Sequence, residues 1–135
     1  MVQRYLHKPL LIENLKFDLR IYILLCGVDP LRVYFYKEGL CRLATTEYKQ
    51  PREKNLDNLY MHLTNYAINK SAANFIPNSG SDKDDFGHKR SLTFAFSYIE
   101  KLGNDVEKLK HEIKYIILKT LAMVQPMLSH TYRSC

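Results

Sequence analysis

The sequence predicts an α/β fold in which antiparallel strands come first and helices follow. Two observations carry this. Residues 17–45 are rich in β-branched and aromatic side chains and are broken by Gly-, Pro- and Asp-containing turns. Residues 104–126 instead repeat apolar side chains at helical spacing behind a capping signal.

The first apolar run, Leu10-Leu11-Ile12, follows Pro9 and reads as a strand or the edge of one. Phe17 to Cys26 alternates and then becomes continuously apolar, which predicts a strand. Gly27-Val28-Asp29-Pro30 is a turn signal, and Leu31 to Tyr36 is the next strand. Lys37-Glu38-Gly39 reads as a tight turn before a third strand over Leu40 to Thr45, completing a meander. Pro51 to Asn58 is polar and loop-like, and Leu59 to Ile68 is mixed. Pro77 to Lys89 lacks periodicity and reads as a mobile surface loop. Ser91 to Leu102 suits a helix ending near Gly103. In the last helix Asn104 is the expected cap, with Glu107 three residues on. Its core stripe would be Val106, Leu109, Ile113, Ile116, Ile117 and Leu121, and Pro126 would stop it.

The 135 residues fit one domain or part of one, and 46% apolar content supports a buried core. Lys plus Arg number 20 against 14 Asp plus Glu, a net charge of +6. A basic surface favours acidic partners: nucleic acid, anionic lipid, nucleotide phosphates or acidic peptides. Cys26, Cys41 and Cys135 show no paired or metal-binding spacing, so reduced thiols are expected, with Cys26 and Cys41 in the core. No apolar run reaches the ~18–20 residues of a membrane helix, and the first residues lack a signal-peptide core. A cytoplasmic or cytoskeletal location is the expectation.

Lys16, Asp18 and Arg20 share one face of a strand because side chains alternate with period two, leaving Phe17 and Leu19 for the core. Two cations flanking a carboxylate can hold a phosphate chain. The same alternation describes a solvated ladder of surface charge, and spacing leaves both readings open. His62-Leu63-Thr64-Asn65 offers short hydrogen-bonding groups suited to ribose or phosphate, or else a turn with local bonds. The sequence contains no Walker A motif, GxGxxG, zinc spacing or GxSxG.

Four segments occur in order: Lys16-Phe17-Asp18-Leu19-Arg20-Ile21-Tyr22; Asp29-Pro30-Leu31-Arg32-Val33-Tyr34; Lys37-Glu38-Gly39-Leu40-Cys41-Arg42-Leu43-Ala44-Thr45; and Met61-His62-Leu63-Thr64-Asn65-Tyr66-Ala67-Ile68-Asn69-Lys70. Together they resemble the central segment of the tubulin–tyrosine-ligase-like family. Leu56 to Phe75, with His88-Lys89-Arg90 beyond, is similar to its polyglutamylase branch. The resemblance implies that residues 1–135 are the central part of an ATP-grasp domain, truncated at both ends.

That resemblance implies ATP-dependent ligation of glutamate to glutamate side chains of tubulin C-terminal tails through an acyl phosphate, with ATP and Mg2+ as cofactors. Free glutamate and microtubules would be the partners, with no nucleic acid or membrane, and the location cytoskeletal, at the cilium or basal body in particular. Arg20 and Arg42 would be catalytic. Lys16, Asp18, His62, Leu63, Thr64 and Asn65 would face the nucleotide, and Lys70 and Arg42 the substrate tail. The family's phosphate-binding lysine and adenine pocket would lie before residue 1 and its Mg2+ ligands after residue 135, so no metal ligand is expected within the chain. These residues alone are then expected to fall short of catalysis. The competing readings are a non-catalytic tubulin-binding remnant and a nucleic-acid-binding domain; ten tyrosines permit the latter, but no stacking motif of the RRM type is present.

Overall fold

The computed structural model describes residues 2–78 and 86–134. Four strands, β1 (Leu11–Ile12), β2 (Leu15–Val28), β3 (Leu31–Leu43) and β4 (Lys89–Ser91), form one sheet in the order β1-β2-β3-β4. Four helices follow or intervene: α1 (Leu59–His62), α2 (Tyr66–Asn69), α3 (Leu92–Lys101) and α4 (Val106–Arg133). Antiparallel strands followed by helices make an α/β architecture consistent with a partial ATP-grasp-like fold. Residue contacts divide the chain into two units, Met1–Ile21 with Glu38–Tyr98, and Tyr22–Lys37 with Ile99–Cys135.

In the first unit the chain enters through a hairpin. β1 pairs antiparallel with β2, Ile12 opposite Leu15. Glu13 and Asn14 link them with φ of 52° and 62°, the left-handed pair that a type I′ turn requires. A Glu rarely adopts this backbone. Here its carboxylate takes both ends of the Arg90 guanidinium at 2.6 and 2.7 Å, and its N–H donates to the Tyr98 hydroxyl at 3.2 Å. Arg90 hydrogen bonding, ahead of the opposing effect of burial, holds the Glu13 carboxyl below its ordinary range. β4 pairs antiparallel with β3, placing Arg90 opposite Cys41. Alternation then builds the core: Ile12, Cys41, Leu43 and Ala95 are fully enclosed, with Leu15, Phe17, Leu19, Phe94 and Tyr98 packed on them. Burial, reinforced by Asp18, pushes the Cys41 thiol up to about 12.

The expected turn at Lys37-Glu38-Gly39 does not form, and β3 runs through it for 13 residues. Gly39 serves close strand approach instead: a Cβ there would lie 2.4 Å from the Arg20 carbonyl oxygen. Glu38 caps α3 from outside its sequence. Its carboxylate accepts from the N–H groups of Gly39, Leu92 and Thr93 at 2.8–3.2 Å and from the Thr93 hydroxyl at 2.6 Å. Burial pushes the Glu38 carboxyl up, but these hydrogen bonds outweigh it and leave the group below its ordinary range. Ser91 adds a second cap, its hydroxyl accepting from the Phe94 N–H at 2.9 Å. Gly39→Ala is expected to cost about 1–3 kcal/mol, because backbone rather than a flexible side chain stands in the way. A lowered urea midpoint at unchanged slope would register it; an unchanged midpoint would mean the strands can separate freely.

The second unit holds the distal halves of β2 and β3, joined through Asp29 and Pro30, and α4. A two-residue connection between neighbouring strands makes them antiparallel. Cys26, expected in the core, is exposed; in the same apolar end of β2 Leu24 is 60% exposed, while Val28 is buried. Gly103, at φ +84°, closes the preceding helix by a Schellman motif: its N–H donates to Glu100 and the Asn104 N–H to Ile99. Asn104 does not cap α4, because its side-chain amide is committed to the Ile99 carbonyl. Asp105 caps instead, accepting from the Lys108 N–H at 2.9 Å. Of the expected stripe, Val106 is buried and Leu109, Ile113, Ile117 and Leu121 are half-buried, but Ile116 points outward.

Pro126 does not end α4, which continues to Arg133. A proline inside a helix costs about 3 kcal/mol. Half-buried Val124, Gln125 and Leu128 flank it, and the Gln125 amide donates to the Val28 carbonyl at 2.9 Å, so tertiary contact spans the break. Arg133 pairs with Asp29. The expected loop over Pro77–Lys89 falls largely on residues 79–85, outside the described residues, and its last residue begins β4. Pro51–Asn58 contains one 3-10 turn, Glu53–Asn55, and the mixed Leu59–Ile68 stretch folds into α1 and the start of α2. Among the described residues no helix is long and apolar enough to cross a membrane.

Candidate functional site

Phe17 and Leu19 turn to the core, so Lys16, Asp18 and Arg20 take the opposite face of β2. On β3 the buried neighbours Cys41 and Leu43 put Arg42 on that same face. The two alternations meet in an ion pair. Arg42 Nε lies 3.0 and 3.1 Å from the Asp18 carboxylate oxygens, and one terminal nitrogen lies 2.6 Å from Oδ2. Both side chains are about one-third exposed, at 32% and 31%. This fork fixes the guanidinium plane that a flexible arginine would otherwise sample. The carboxylate expected to sit between Lys16 and Arg20 has its principal partner on the next strand.

Lys16 reaches a wall built from His62 with Tyr5 and Tyr48 against it. Its Nζ donates to the His62 carbonyl at 2.9 Å and to the Tyr5 hydroxyl at 3.4 Å, and lies 4.7 Å from the centre of the Tyr5 ring. His62 is buried, and both ring nitrogens are engaged. Nε2 lies 2.9 Å from the Asn55 carbonyl, which can only accept, so Nε2 carries a proton. Nδ1 lies 2.7 Å from the Tyr5 hydroxyl, and a neutral ring accepts there. Tyr5 and Tyr48 stand edge-on to the ring. His62 therefore holds the wall together, and its backbone carbonyl is the group that faces Lys16.

Leu63, Thr64 and Asn65 link α1 to α2. Leu63 and Asn65 are exposed and Thr64 is half-buried. The organiser of this link is Asn69, 1% exposed. Its amide nitrogen donates to the carbonyls of Leu63 at 2.8 Å and Asn65 at 3.1 Å. Its Oδ1 accepts from the Thr45 N–H at 3.0 Å and the Thr45 hydroxyl at 2.9 Å. One side chain thus ties the end of the β3 segment to the loop that carries Thr64 and Asn65. Among the described residues no side-chain hydrogen bond joins Thr64, Asn65 or Lys70 to Lys16 or Asp18.

Sequence reasoning missed Tyr5 and Asn69. Asn69 stood inside a quoted motif, but nothing in its residue type separates a buried organiser from a turn residue. His88 and Arg90 are structural here: His88 Nδ1 accepts from the Ile76 N–H at 3.0 Å, and Arg90 holds Glu13. Among the described residues no three His, Cys, Asp or Glu side chains converge to hold a metal ion.

The sequence profile of the tubulin-tyrosine ligase family matches residues 1–135. A probable beta-tubulin polyglutamylase of Tetrahymena thermophila is 53% identical over 135 residues, all of this chain and 11% of that protein. Tubulin polyglutamylase TTLL6 of Mus musculus is 46% identical over 133 residues, 98% of this chain and 16% of its own. Tubulin polyglutamylase TTLL7 of Xenopus tropicalis is 43% identical over 135 residues, 14% of its own length. The chain therefore spans between 11% and 16% of the length of these curated relatives.

Proposed function

This chain belongs to the tubulin-tyrosine ligase family, and from that premise we propose that it supplies one face of the active site of an ATP-dependent tubulin polyglutamylase. The observation that carries the reading is the convergence of Lys16, Asp18 and Arg42 on one sheet face, with Arg42 held bidentately at 2.6–3.1 Å. Bound ATP would supply the γ-phosphoryl group that converts a glutamate carboxylate of the tubulin tail to an acyl phosphate, with ADP leaving, and the amine of a free glutamate would displace phosphate to form the amide.

The chain's own residues bind and orient. Arg20 and Arg42 offset the negative charge that gathers where phosphate and carboxylate meet. Asp18 holds the Arg42 guanidinium in register, so little reorganisation is needed when that charge develops. Lys16, positioned by the His62 carbonyl, faces the nucleotide with His62, Leu63, Thr64 and Asn65. Lys70 and Arg42 face the acidic tail. Tubulin C-terminal tails in microtubules and free glutamate are the partners in this reading. The location is the cytoskeleton, with the cilium or basal body as its finest form.

The test is a chimaera in which these 135 residues replace the matching segment of the Tetrahymena relative. It should incorporate labelled glutamate into microtubules when ATP is present and fail to do so on tubulin whose C-terminal tails have been removed. Incorporation indifferent to the tails would overturn the substrate assignment; absence of incorporation on intact microtubules would overturn the ligase assignment.

A further inference from the structure

Beyond the Lys16–Asp18–Arg42 face, the first unit carries a concavity of about 560 Å³ lined by Lys49, Gln50, Arg52, Lys54 and Asn55. Three of its five lining residues are cations, and no lining residue is acidic. Lys49, Arg52 and Lys54 are exposed, and no hydrogen bond or ion pair engages their side-chain charges among the described residues. The wall beneath them is fixed. Asn55 Oδ1 accepts from the Arg52 N–H at 2.8 Å, and its amide donates to the Gln50 carbonyl at 3.0 Å. The Asn55 carbonyl in turn accepts from His62 Nε2. The Lys49 N–H points at the Met61 sulfur at 3.4 Å. The concavity is thus tied through His62 to the wall that positions Lys16.

We propose that this concavity is a carboxylate-binding subsite that anchors an acidic peptide outside the reaction centre. The inference rests on the acidic-tail reading above and adds a place where the tail is held. Its chemistry favours carboxylates on a chain over one phosphate. A phosphate cradle uses converging backbone N–H groups. Here the N–H groups of Lys49, Arg52 and Asn55 are spent on Met61, Asn55 Oδ1 and the Arg52 carbonyl. The positive charge of the lining is on separate side chains: the Lys49 and Lys54 ammoniums, which act as point charges, and the Arg52 guanidinium, whose fork matches a carboxylate. The volume also exceeds what a single phosphate fills and falls in the range of peptide- or ligand-sized pockets.

The test measures binding of a fluorescein-labelled, glutamate-rich peptide to the full chain by anisotropy across a salt series. Three proteins are compared: wild type, a Lys49→Gln/Arg52→Gln/Lys54→Gln variant, and a Lys101→Gln/Lys108→Gln/Lys119→Gln variant that removes the same charge elsewhere. Three exposed cation–carboxylate contacts predict roughly a tenfold loss of affinity in the first variant. They also predict a flatter salt dependence there. The second variant should stay within about twofold of wild type, the range of general charge effects. Equal losses in both variants, or none in either, overturn the subsite and leave the proposed ligase face standing. No peptide binding by wild type overturns the acidic-tail reading along with the subsite. Competition by inorganic phosphate or by an RNA oligonucleotide that the first variant abolishes would make this a phosphate or RNA site, and would overturn the assignment to an acidic peptide.

Discussion

Arg42→Lys is expected to lower glutamate incorporation by the chimaera about 10²–10³-fold, the usual loss when one preorganised donor to a developing negative charge is removed. Lysine keeps the charge but not the planar fork, so it cannot hold both Asp18 contacts and still present a fixed direction to the substrate. The fall should appear in kcat more than in KM, because the lost interaction is one that strengthens as phosphate and carboxylate meet. Folding should hardly notice. Arg42 and Asp18 are each about one-third exposed, and an ion pair of that kind contributes at most about 1 kcal/mol. Incorporation rates and urea midpoints on the same preparation separate the two effects; a variant that keeps its activity would reduce the face to a solvated charge ladder.

Asn69→Ala is expected to act in the opposite way, costing about 3–5 kcal/mol of stability. The side chain is 1% exposed and serves two donors on Thr45 and two backbone acceptors on Leu63 and Asn65. Alanine leaves buried polar groups without partners and releases the loop that carries Thr64 and Asn65. Asn69→Asp refines the expectation. A carboxylate still accepts from Thr45 but turns a negative oxygen towards two carbonyls. This variant should therefore lose stability as well, since it no longer donates to Leu63 and Asn65. Urea midpoints for wild type and both variants check this, and an unchanged midpoint would contradict the donor role.

The face of β2 was legible because period two is local: once Phe17 and Leu19 are apolar, Lys16, Asp18 and Arg20 are on the other side. The ends of α3 were legible for the same reason, since Ser91 caps and Gly103 closes within one turn. What could not be read depends on contacts across the chain. Asp18 and Arg42 are 24 residues apart, and nothing local pairs them. β4 is three polar residues that become a strand only beside Leu40–Arg42. Gly39 looks like a turn residue until the Arg20 carbonyl is seen against it. Cys26 reads as core from its apolar run yet is exposed, because a hydrophobic run says nothing about what covers it. At Pro126 a local rule was outweighed by packing on both sides.

The central claim is that Asp18 and Arg42 act as one catalytic unit. Incorporation by the chimaera measured for Asp18→Ala, Arg42→Ala and the double variant tests it most directly. A unit predicts that each single change costs nearly as much as both together, on the order of 10²–10³-fold, with folding intact. Single variants that each retain near-wild-type activity would contradict it, and so would losses that simply multiply.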